Sequence, residues 1–61
     1  MKEFEIFVSA AYESAGSVYH NAFKVYVLAP TPEAAKESAR LRLADENYID
    51  VELDEPIAIE E

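Results

Sequence analysis

A chain of 61 residues makes one domain at most, and so short a domain buries only about 60% of the surface its unfolded form exposes. It holds 13 acidic residues against 5 basic ones, a formal net charge of −8, and no cysteine. This excludes a disulfide framework and a thiolate zinc site, and it disfavours direct binding to DNA, RNA or anionic lipid, which select clustered Lys and Arg.

The first predicted element is a strand. Phe4, Ile6, Val8 and Ala10 alternate with Glu3, Glu5, Phe7 and Ser9, the period of two expected of a half-buried strand. Glu13-Ser14-Ala15-Gly16-Ser17 holds the only glycine in the chain, where a reversal costs least. A second strand follows over Val18–Ala29, with Phe23, Val25 and Val27 on one parity and Lys24, Tyr26 and Leu28 on the other. Pro30 closes it, because proline cannot donate to a ladder.

Thr31 then offers a hydroxyl as N-cap, Pro32 suits the first helical position, and Glu33 favours the positive end of the helix dipole. The predicted helix runs from Pro32 to about Glu46, with Ala35, Ala39 and Leu43 forming its apolar stripe. Asn47 is the expected helix stop, since Asn tolerates the left-handed conformation of C-caps. Lys36, Arg40 and Arg42 interleave with Glu33 and Glu37 as solvated i,i+3 and i,i+4 pairs.

The third strand spans about Tyr48 to Asp54. Its strict alternation should send Ile49, Val51 and Leu53 to the core and Asp50, Glu52 and Asp54 to the opposite face. Beyond Pro56, Ile57-Ala58-Ile59 alternates again along the sheet edge, and Glu60-Glu61 is expected to fray. The predicted fold is α+β: a ββαβ domain over residues 1–61, with a three-stranded antiparallel sheet and one helix on one face. A right-handed crossover sets the third strand beside the first, giving the order 2-1-3. Glu3, Glu5, Asp50, Glu52 and Asp54 then share an outward face with Phe7 and Tyr26.

Chemistry of the catalytic kind has little to build on. His20 is the only histidine, and Ser14 and Ser17, its candidate partners, lie in or beside the exposed turn, where nothing tunes a catalytic pKa. Asp50, Glu52 and Asp54 would stand roughly 7 Å apart along a strand, too far for one compact oxygen cage. The sequence therefore predicts no enzyme, no cofactor and no metal. Phe7, whose parity opposes Phe4, Ile6 and Val8, fits an aromatic anchor within a charged rim. Tyr12, Tyr19, Tyr26 and Tyr48 are of the amphipathic type common where core meets solvent. No apolar run approaches the ~20 residues of a membrane span, and the first residues lack the pattern of a signal peptide, so the expected setting is the cytosol.

With the strand Phe23-Lys24-Val25, then Ala29, a helix opened by Thr31 with Ala35 and Ala39, and a last strand ending at Pro56, the chain resembles small phage-encoded ββαβ proteins that disable host machinery. Among them, the pattern is similar to the RNA polymerase inhibitor of short-tailed phages. That family carries basic residues in its final strand, where this chain has Leu53 and Glu55. The acidity instead resembles anti-CRISPR and anti-restriction proteins, whose carboxylates fill basic channels meant for nucleic acid. The resemblance implies a cytoplasmic inhibitor in a host bacterial cell, binding the basic surface of a nucleic-acid-handling complex; the outward face read from the strand order, with Glu3, Glu5, Phe7, Tyr26, Asp50, Glu52 and Asp54, is the expected contact surface. The competing expectation is a self-associating module, since exposed Phe7 and free sheet edges also suit a homodimer.

Overall fold

The computed structural model describes residues 1–59. The chain runs β1 (Lys2–Ser14), β2 (Ser17–Ala29), α1 (Pro32–Asp45), β3 (Ile49–Leu53) and β4 (Ile57–Ile59). The sheet has the order β2-β1-β3, and β4 also pairs with β1. All pairings are antiparallel, and β1 is central. The predicted α+β fold and strand order are observed, with one amendment: the expected three strands are four. Pro56 interrupts the last edge, so β3 lies along Val8–Ala11 and β4 along Glu3–Glu5 of the same strand. The expected fraying of Glu60-Glu61 falls outside the described residues.

β1 and β2 form a long regular hairpin, in register from Lys2 opposite Ala29 to Ser14 opposite Ser17. Its turn is Ala15-Gly16, at φ 52° and 80°. Two successive left-handed residues make the primed turn whose twist matches that of the strands. A methyl group on Gly16 would meet open space, so backbone angle rather than room favours glycine there.

The helix begins as the sequence dictates. Thr31 is extended, and its Oγ1 accepts from the Ala34 amide at 3.2 Å. At the other end Asn47 is left-handed at φ 67°, the Asn47 amide donates to Ala44 and the Tyr48 amide to Leu43. This pair of bonds is a Schellman cap, which satisfies the last carbonyls and turns the chain back toward the sheet.

Ala35, Ala39 and Leu43 press on Phe4, Ile6, Val8, Ala10, Val27 and Ala29 to form the core. Small alanines let the helix lie close over the sheet. The molecule is elongated, 42 × 17 × 14 Å, because the hairpin outruns the helix. Tyr12 stacks on Tyr19 at 5.4 Å, and Tyr48 meets the edge of Tyr12 and the ring of Phe23, which ties the hairpin arm to the helix end. Among the described residues, no helix is long and apolar enough to cross a membrane.

β3 corrects one expectation. Val8 pairs with Leu53 and Ser9 with Glu52, yet the next pair is Ala11 with Ile49, so β3 carries one residue more than β1 between them. Asp50 takes φ 50°, and the strand bulges there. Aspartate tolerates this left-handed geometry better than most residues. Ile49, expected in the core, is carried instead to the register of Ala11 and is 43% exposed. The expected core row shrinks to Val51 and Leu53, both packed against the helix-side cluster.

Candidate functional site

One face of the sheet is covered by α1, and the register defines what the other presents. Starting at the open end of the hairpin, Leu28, Glu3 and Ile59 lie side by side, then Tyr26, Glu5 and Ile57. Next come Lys24 and Phe7, with Asp54 at the end of β3 donating its amide to the Phe7 carbonyl at 3.0 Å. Ala22, Ser9 and Glu52 follow, then His20 and Ile49 on either side of Ala11, which is fully buried. Two-residue periodicity on β1 and β2, together with antiparallel pairing, places these side chains on one surface.

Six of the seven predicted partner-binding residues therefore come together: Glu3, Glu5, Phe7, Tyr26, Glu52 and Asp54. Asp50 does not join their row, because it occupies the extra position of the bulge. The face is also less uniformly acidic than the sequence suggested. Lys24 reaches Glu5 at 3.7 Å and sits 5.4 Å over the Phe7 ring. Glu5 is accordingly only half-buried beside its cation, whereas Glu3, Glu52 and Asp54 remain exposed among the described residues.

Apolar residues complete the surface, and most of them were not singled out from the sequence. Leu28, 66% exposed, and Ile57 flank the carboxylates of β1, and Ile49 stands just before the bulge. Leu28 shared the parity of Tyr26, which was the available signal. The placement of Ile57 and Ile59 beside Glu5 and Glu3 required the pairing of β4 with β1. The face is thus an apolar sheet surface in which carboxylates are set singly, rather than a continuous acidic patch.

Its middle is concave. Ser9 and Ala22 are small and lie opposite one another, leaving a depression of about 480 Å³ whose lining includes Phe7, Lys24, Glu52 and Asp54. The Phe7 ring and the Lys24 stem wall one end, and Glu52 of β3 and Asp54 just beyond it stand on the side away from β2. A second concavity of about 510 Å³ lies under the helix C-terminus, between Tyr12, Glu13, Asn21, Glu46, Asn47 and Tyr48. Among the described residues, no three His, Cys, Asp or Glu side chains converge as metal ligands would. His20 is exposed on β2 in register with Ala11.

The helix contributes to the opposite surface. Arg40 pairs with Glu37 at 3.9 Å as expected of i,i+3 neighbours, but Lys36 reaches across the fold to Glu55 at 3.2 Å. Leu53 and Glu55, the positions that the polymerase inhibitors make basic, are thus a core-packed residue and a paired carboxylate. No family model, curated protein or solved structure matches the chain.

Proposed function

We propose that the open sheet face is a protein-binding surface, and that the chain acts by occupying a basic, nucleic-acid-binding surface of a host complex in the bacterial cytoplasm. It would act by binding rather than by catalysis. The observation that carries this reading is the gathering of Glu3, Glu5, Glu52 and Asp54 around Phe7, Tyr26, Leu28 and Ile57 on the one face the helix leaves uncovered. A sheet face with this many exposed apolar side chains gains by burial, and a basic partner matches its isolated carboxylates.

The central depression suits a long cationic side chain. An arginine stem could lie over Ser9 and Ala22, with its guanidinium turned to Glu52 and Asp54, a planar fork well matched to carboxylates. Nucleic acid and this face would then compete for the same basic groups, which is the logic of an anti-CRISPR-like mimic. RNA polymerase is supported less well, since Leu53 and Glu55 stand where that family carries its basic residues.

The test is affinity capture from nuclease-treated bacterial lysate, followed by elution with either salt or duplex DNA. Captured nucleic-acid-binding proteins released by both eluents support the reading. Capture that survives high salt and excess DNA contradicts it, because charge-complementary association weakens with ionic strength.

A further inference from the structure

We infer that β2 is a self-pairing edge, through which two copies of this chain join antiparallel strands about a two-fold axis at Phe23. Such pairing uses the backbone edge of the sheet and does not depend on the proposed target. β2 closes one side of the sheet, and its outer edge is unpaired among the described residues over all thirteen positions from Ser17 to Ala29. A strand this long with a free ladder of amides and carbonyls is a template for another strand. The two-residue turn makes Ser14 and Ser17 a hydrogen-bonded pair, so the groups left for the free edge belong to Val18, His20, Ala22, Lys24, Tyr26 and Leu28.

The devices that usually protect such an edge are missing. β2 has no proline, and its register with β1 is unbroken. Its single lysine, Lys24, is drawn inward onto Glu5 and Phe7, away from the edge it would otherwise guard.

Charge then selects the partner. Thirteen carboxylates lie in the chain and none of them in Ser17–Ala29, so β2 is where two chains of net charge −8 can approach with least repulsion. The same consideration selects the register. Full overlap of the two strands centres the axis on Phe23 and sets Val18 against Leu28, His20 against Tyr26 and Ala22 against Lys24. No like charges face each other in these pairs, and the apolar and aromatic ones are of the kind that stabilise sheets. Shifting the centre to Lys24 would oppose two ammonium groups. Shape agrees: the helix covers only the Phe23–Ala29 half of β2, so each helix would lie beside the bare arm of the other copy, where Tyr19 is exposed on the same face.

Sedimentation of the full chain over a micromolar concentration series, with two opposed substitutions at exposed Ala22, tests the inference. Ala22→Lys places like charges across the axis twice, and the expected result is a dimer weakened about tenfold. Ala22→Glu places two carboxylates opposite Lys24, and it should instead hold or tighten the dimer at low salt. Circular dichroism reports whether each variant keeps the monomer fold. Phe23→Cys should oxidise to a covalent dimer because the axis brings the two sites together, whereas Asn21→Cys, displaced from the axis, should not. A parent chain that stays monomeric throughout, charge variants that respond alike, or equal cross-linking at both cysteine positions would overturn it.

Discussion

On the helix side of β1, Phe4, Ile6, Val8 and Ala10 are at most 3% exposed, while on the other side Glu3, Phe7 and Ser9 meet solvent. One strand thus carries both surfaces, with alternate residues assigned to each. The helix side holds the apolar contacts that keep so small a chain folded. The open side keeps large apolar residues exposed beside carboxylates, an arrangement that adds little to the stability of a monomer. Its composition makes sense if something else covers it. On β1, the residues that hold the fold together and those left open to a partner are thus separated by parity rather than by position along the chain.

Substitutions along β1 should therefore fall into two classes. Ile6→Ala, which opens a cavity under α1, should cost about 3 kcal/mol and leave the chain largely unfolded at moderate denaturant, as measured by urea titration. Equal tolerance of Ile6→Ala and Phe7→Ala would show that the two faces of β1 do not differ in their contribution to stability. Thr31→Ala removes the cap of the helix that covers the closed side, and a loss of about 1 kcal/mol is expected in the same assay. Phe7→Ala, on the neighbouring position but the open side, should cost less than about 1 kcal/mol of stability while removing the aromatic centre of the proposed interface. Ala15→Asn touches neither face. It puts a residue tolerant of left-handed geometry before Gly16 and should raise the thermal midpoint slightly, by the equivalent of about 0.5 kcal/mol.

Much of this organisation was legible because it is local. The alternation on β1, the Ala-Gly reversal, the Thr31-Pro32 helix start and the Asn47 stop each rest on a few neighbouring residues whose backbone preferences are strong. The strand order followed from the handedness of the crossover. What escaped was set by tertiary pairing. The bulge at Asp50 leaves no mark in an alternating pattern, since the inserted residue is recognisable only against its partner strand. Lys24 could be placed on Glu5 only once their register was known. β4 looked like a continuation of the edge, but its meaning for the open face came from lying beside Glu3 and Glu5 on the central strand. Of the candidate surface, the acidic and aromatic members on β1 and β2 were readable, and the apolar frame around them was not.

The most direct measurement compares two charge reversals of equal size on opposite surfaces. Glu52→Lys with Asp54→Lys changes the open face, and Glu37→Lys with Asp45→Lys makes the same net change on the exposed helix. Capture of nucleic-acid-binding proteins from nuclease-treated bacterial lysate, quantified for both folded double variants against the parent chain, separates placement from total charge. The open-face pair is expected to abolish capture and the helix pair to retain it. Equal loss from both pairs would show that net charge alone attracts the partner, and the open face would not be the site.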